Sequence, residues 1–237
     1  MKGLLVRVAA DQSAGGGYWN GPADSVTRLF GYVAIPESSP THPGLNKPYA
    51  GLHLPLLGFG IALPPNLLAQ DMHLDPDFDY LTYGDEGERA KQIQTKLVNG
   101  DLLVFYAGMR DVRSPSSRLV YGIIGLYVVE NIVSALSVPP IHWHQNAHTR
   151  KVLAAGASDI VVRARPGASG RLERYIPVGH YHQCAYRVCP DLLDEWGGLK
   201  VKNGWLQRSA RLPEFLDARR FYKWFLSQNV TMVRSNN

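Results

Sequence analysis

The sequence predicts an α+β fold that is mostly β: a small barrel with peripheral helices and a C-terminal helix. Three observations carry this expectation. Leu97–Val133 holds two long apolar runs, Leu102–Ala107 and Tyr121–Val129, with the turn Asn99-Gly100-Asp101 before the first and an Arg/Ser/Pro-rich loop between them. Asn-Gly followed by β-branched and aromatic runs marks a β-hairpin. About six or seven short apolar runs bounded by Gly and Pro recur with few helical patterns between them, as in a mostly-β barrel. Pro213–Gln228 instead has a helical period, with Phe215, Phe221, Phe225 and Leu226 inward and Arg219, Arg220 and Lys223 outward.

The 237 residues suit a single domain, read as a barrel core over about 1–190 and a basic helical extension over about 191–237. A hydrophobic fraction of 45% is enough for a substantial core. No apolar run is long enough to span a membrane, and the N-terminal strand carries Arg7 and enters a Gly-rich loop, unlike a signal peptide. The expectation is a cytoplasmic chain with no membrane partner. Two cysteines, Cys184 and Cys189, are too few for a disulfide scaffold and are read as reduced thiols.

In chain order, Lys2–Ala10 is the first strand, apolar on both sides of the pleat. It delivers Asp11 and Gln12 into a loop with Gly15-Gly16-Gly17, Trp19 and Asn20, whose glycines let backbone approach a ligand. A carboxylate, two amides and a large aromatic there suit a planar polar ligand. The spacing is neither GxGxxG nor a P-loop, so no cofactor is assigned. Phe30–Ile35 is a second strand. The Pro-rich stretch 36–70 is expected to lie against the barrel. Asp75, Asp77 and Asp79 alternate like the start of a calcium loop, but Pro76 and the missing glycine favour plain turn residues. Gly87–Leu97 has helical composition, and the hairpin follows. Ile160–Arg165 and Arg174–Val188 are further strands, and Asp191–Trp196 is a short helix.

Several groups could carry chemistry. His148 can act as acid or base near neutrality, with Asn146 and Arg150 beside it if the segment is extended, and Arg150 would suit phosphate; the alternative is a helix start with His148 and Arg150 in solvent. Asp11, at a strand end, and Asp85 are the carboxylate candidates. His180, His182 and Cys184, spaced by two on one strand, are weak zinc candidates, and hydrogen-bonded histidines are the plainer reading. Tyr106 with Arg110, Arg113 and Arg118 interleaves stacking faces with cations. The net charge is +5. The C-terminal cations, including Lys202, Arg208, Arg211, Arg219, Arg220 and Lys223, form a plausible phosphate-contacting face, or else an ordinary solvated helix.

Two resemblances add to this reading. The segment NGDLLVFYAG…YGIIGLYVVE resembles the central strands of PUA-like domains (EVE, ASCH and YTH), small barrels that often accommodate a base. LLVRVAADQSAGGGYWNGP, Asp75-Pro76-Asp77-Phe78, Tyr83-Gly84-Asp85, GDLLVFYAG, Asn146-Ala147-His148 and LQRSARLPEF together resemble the family called nucleotide modification associated domain 3. That resemblance implies the synthesis or handling of modified nucleic-acid bases, with a nucleic acid or nucleotide as partner.

The expected function is therefore a base-modifying enzyme. Asp11, Asp85 and His148 would be catalytic, and Gln12, Gly16, Trp19, Asn20, Tyr106, Arg110, Asn146 and Arg150 would line a barrel-mouth pocket. A non-catalytic reader of modified bases is the alternative, and a metal-dependent hydrolase using the His/Cys set is a third. Oligomeric state is not legible in the sequence.

Overall fold

The computed structural model describes residues 1–114, 119–182, 184–206 and 209–237. Its strands in chain order are β1 (Gly3–Arg7), β2 (Pro22–Ala23), β3 (Ile35–Pro36), β4 (Met72–His73), β5 (Thr82–Asp85), β6 (Leu102–Asp111), β7 (Leu119–Ser134), β8 (Ile160–Ala164), β9 (Gly170–His182), β10 (Ala185–Val188) and β11 (Met232–Val233). Its α-helices are α1 (His53–Leu57), α2 (Pro65–Leu68), α3 (Gly87–Lys96), α4 (Ala147–Arg150), α5 (Pro190–Trp196) and α6 (Ala218–Ser227). Strand exceeds helix, 33% against 26%, so the class is α+β.

The predicted hairpin is the spine. β6 and β7 pair antiparallel from Leu102↔Val128 to Arg110↔Leu119, with a register shift at Phe105/Tyr106. β1 lies parallel to the first half of β6, and β2 to its end. β7 is long enough to take two partners on its far side. Its N-terminal half pairs with β9, and its C-terminal half pairs with β8, which in turn holds β5. The result is an open, forked, mixed sheet, and the closed barrel expected from the strand pattern is not formed. The run pattern marks the longer strands, not the short ones and not whether edges meet.

Side chains on β6 alternate between two cores, as a pleated strand requires. Leu103, Phe105 and Ala107 face one cluster, and Leu102, Val104 and Tyr106 face the other. The first cluster is covered by residues 30–83, including Tyr32, Tyr49 and Phe78. The Pro-rich segment thus packs on the sheet as expected, burying Leu52, Leu56 and Leu67. The second cluster is covered by Trp196 of α5, by Phe215, and by Phe221 and Phe225 of α6. Burial on both faces explains why these strands read as nearly continuous apolar runs.

Several expected elements differ in extent. Phe30–Ile35 forms only a bridge at Phe30 and the short β3. Residues 213–217 are not helical: Glu214 and Phe215 bridge to Leu4 and Leu199, and the Asp217 carboxylate caps α6 by accepting from Arg220 N. Arg174–Val188 is a hairpin, β9–β10, rather than one strand. The C-terminal residues are tied into the core region: β11 pairs with β9, and Asn236 accepts from Phe78 N while donating to Asp77.

Candidate functional site

A cavity of about 200 Å³ opens where the C-terminal end of β1, the β3–β4 ribbon, β5 and α4 meet. The histidine at its centre is placed by a helix start. Asn146 is the N-cap of α4, and its side-chain oxygen accepts from His148 N. Of the two readings of residues 146–150, the structure shows the helix start, but with His148 and Arg150 buried in that one turn and not in solvent. Gly84 makes the approach possible. A Cβ on it would lie 2.3 Å from the His148 ring and 2.6 Å from the Asn146 side-chain oxygen.

His148 Nδ1 lies 2.6 Å from Asp159 Oδ1, and its Nε2 lies 3.3 Å from His73 Nε2. His73 Nδ1 in turn lies 2.7 Å from Glu37 Oε2. Each imidazole is thus oriented by a carboxylate on the atom facing away from the other ring. Asp75, two residues after His73 and on the same side of the chain, points its Oδ2 at His148 Nε2 from 3.8 Å. Asp75 accepts from Gly84 N at 2.8 Å and from Asn146 Nδ2 at 3.0 Å.

Burial sets the protonation of this group. It pushes the Asp75 carboxyl up to about 7, against the lowering effects of His73 and of the Gly84 and Asn146 hydrogen bonds. Burial also lowers His148, with the Asp159 hydrogen bond opposing it. Burial raises Asp159, but hydrogen bonds from His148 and Lys151 outweigh it and hold the group at about 2. Lys151 Nζ sits between Asp159 Oδ1 at 2.6 Å and Glu86 Oε2 at 2.7 Å.

The wall carries two carboxylate–arginine pairs. Asp11 faces Arg7 at 3.6 Å, and Gly16 packs so closely under Asp11 that a Cβ there would sit 1.9 Å from its Oδ1. Asp85 forms an ion pair with Arg89, Nε to Oδ2 2.9 Å, and accepts from the Tyr83 hydroxyl. The lining holds Asp11, Glu37, Asp75, Asp85 and Glu86 against Arg7, Arg89 and Lys151, an excess of carboxylates when the histidines are neutral.

All three expected catalytic residues, Asp11, Asp85 and His148, line this cavity. Asn146 does not line it but holds both Asp75 and His148. The other expected ligand contacts lie elsewhere. Gln12 is exposed and Trp19 packs on the first core. Asn20 donates to Gly108 O. Tyr106 is buried in the second core, and Arg110 is exposed at the end of β6. Arg150 is 2% exposed and gives its guanidinium to Asp77, Leu74 O and His144 O, so it is a buried structural ion pair rather than a phosphate ligand.

The three-residue His/Cys set is not brought together. His180 and His182 lie on β9, while Cys184 occupies the turn to β10 with φ 57°, and His180 contacts Cys189 instead. Among the described residues, the groups able to hold a metal are His73/Asp75/His148 and Glu86/His148/Asp159. Of the basic residues, Arg211 shares a niche with Arg7 and Arg89, and Lys202, Arg219, Arg220 and Lys223 are exposed. Arg118 and Arg208 lie outside the described residues.

Sequence reasoning missed His73, Glu37, Asp159 and the role of Asp75. The usable pattern was His73-x-Asp75, two polar groups spaced to share one face. Reading the Asp75–Asp79 alternation as turn chemistry hid it. Glu37 and Asp159 carry no local signal.

The family model for nucleotide modification associated domain 3 matches residues 2–210. No curated protein and no solved structure matches the chain. The chain belongs to the nucleotide modification associated domain 3 family.

Proposed function

We propose that this protein is an enzyme that modifies a nucleic-acid or nucleotide base held in the cavity above His73, Asp75 and His148. The observation that carries the reading is the convergence of these three side chains, each held by a further hydrogen-bonding group, on one small polar cavity. Pre-oriented polar groups around a concave site are the hallmark of a reaction centre. Membership of a nucleotide-modification family supports a base as the reacting group.

Size and charge refine the substrate. A volume of about 200 Å³ falls below the roughly 300–1,000 Å³ typical of sites for whole drug-sized ligands. It suits a single base. The carboxylate excess repels a bare phosphate chain, so the sugar–phosphate stays outside, and a base swung out of a strand fits this arrangement. The exposed Arg211, which shares a niche with the cavity residues Arg7 and Arg89, would meet the backbone.

A non-catalytic reader is the weaker reading. Readers of splayed bases present stacking faces. Apart from histidines, this cavity is lined by a single aromatic, Tyr83, whose hydroxyl is bound to Asp85.

The test is mass spectrometry of total nucleosides from cells with and without the protein, repeated with Asp75→Asn and Asp11→Asn. A nucleoside that appears with the wild type and falls at least ~100-fold with Asp75→Asn supports an enzyme. Unchanged nucleosides, together with specific nucleic-acid binding by the purified chain, would establish the reader instead.

A further inference from the structure

We infer that His73, Asp75 and His148 bind one first-row divalent transition-metal ion, through the Nε2 atoms of both histidines and a carboxylate oxygen of Asp75. The ligand atoms all lie within 4.8 Å of one another. The two Nε2 atoms are 3.3 Å apart. Two nitrogens on a zinc-like ion at about 2.0–2.1 Å stand about 3.3 Å apart at the tetrahedral angle.

The surroundings of the ligands point the same way. Glu37 and Asp159 each take the Nδ1 of one histidine, at 2.7 and 2.6 Å. A carboxylate there accepts the Nδ1 proton and leaves the Nε2 lone pair free, the arrangement found behind metal-bound histidines. With both rings in that tautomer the two Nε2 lone pairs face one another across 3.3 Å, an arrangement that a shared proton or a bound cation relieves. Asp75 adds a third donor. Its other contacts, Gly84 N and Asn146 Nδ2, hold the carboxylate without neutralising it. Among the described residues, no lysine or arginine forms an ion pair with Asp75.

The neighbouring group Glu86/His148/Asp159 behaves differently. Lys151 Nζ already sits between its two carboxylates, at 2.6 and 2.7 Å, so its positive charge is supplied by the chain. Among the described residues, no lysine or arginine pairs with Asp75 in the His73/Asp75/His148 group, and the surrounding cavity has carboxylates in excess. Two imidazoles and one carboxylate favour iron(II), manganese, cobalt or zinc over calcium or magnesium, which prefer oxygen. Three protein ligands leave coordination positions facing the cavity. The site lies in the cavity proposed above to hold a base, but its occupancy is measured without substrate. Failure of metal binding therefore leaves the base-modification reading to be judged on its own nucleoside test, and the converse also holds.

The experiment strips the full-length protein with chelator and reloads it separately with Zn(II), Co(II) and, under anaerobic conditions, Fe(II). Metal content is read by elemental mass spectrometry, and cobalt coordination by visible absorption. The expected result is one equivalent per chain for at least one of these ions. Asp75→Asn and His73→Ala should each lower affinity by at least ~100-fold, and Glu37→Gln by about 10–100-fold. His180→Ala should leave binding unchanged, which separates this site from the His/Cys cluster. Far-UV circular dichroism verifies that each variant is folded, and the near-isosteric Asp75→Asn keeps the test decisive should His73→Ala unfold. Less than a tenth of an equivalent of every ion in the wild type would overturn the inference, as would full binding by a folded Asp75→Asn variant.

Discussion

Arg150 and Asp77 are 2% and 1% exposed at their side chains, and their ion pair at 2.9 Å lies beneath the site. Removing one partner of a buried pair strands the other charge and costs about 3–5 kcal/mol. Arg150→Ala should therefore shift the urea midpoint strongly while Arg211→Ala leaves it within error. An unchanged midpoint for Arg150→Ala would return Arg150 to the list of ligand contacts. Gly84 is the second residue of this kind. Any Cβ there collides with the His148 ring and with Asn146, so Gly84→Ala should lower activity at least ~100-fold while costing about 1–3 kcal/mol of stability. Retained activity would mean that α4 can retreat without disturbing His148. At this scale the sequence was partly legible. Asp85 ends β5, Asp11 lies in the loop that β1 enters, and His148 is in the first turn behind the Asn146 cap, where local chemistry is visible. Arg150 was not legible, because a cation two residues from a histidine looks the same whether it faces a phosphate or Asp77, which is distant in sequence.

Elements were legible where their periodicity was locally complete. α3 and α5 have nearly the expected limits, and the β6–β7 hairpin pairs as Asn99-Gly100 and the flanking runs imply. One failure shows an element ended by a partner distant in sequence. Residues 213–217 have helical composition but are drawn out by bridges to Leu4 and Leu199. The loop joining β2 to residue 30 offers a pH test at this scale. Asp24 accepts from Arg113 Nε at 2.8 Å and from Val26 N and Thr27 N. The Arg113 hydrogen bond leads the effects that hold the Asp24 carboxyl at about 2. A depressed carboxylate stabilises the fold at pH values above its ordinary titration near 4, and that contribution is lost as pH falls toward 2. Carboxyl NMR should find Asp24 titrating near 2 in the wild type and closer to 4 in Arg113→Ala. Identical titrations would assign the shift to the loop amides alone.

For the whole molecule, two cores on one sheet make the C-terminal residues part of the fold. Phe221 is fully buried among Trp196, Phe215 and Trp224. Phe221→Ala should cost about 3–5 kcal/mol. For a chain of this size that is a fall of roughly 6–20 °C in melting temperature. A fall confined to loss of helix signal, with the main transition unmoved, would show that α6 is an appendage. The class and the central strands were legible because they depend on run length and composition. The open, forked sheet was not, because closure depends on which edges meet, and no stretch of sequence records that.

The pairing of β1 with β6 has a consequence for how the protein is made. β1 leaves the ribosome well before the strands it joins: its parallel partner begins at Leu102, and β7, which holds β6 on its other side, ends at Ser134. At about 5–20 residues per second, a strand made so far ahead of its partner waits several seconds for it. During that wait the apolar run of β1 has no sheet to join. Nascent chains arrested before Ser134 should be open to protease, and chains arrested beyond it should gain protection at β1, β6 and β7 together.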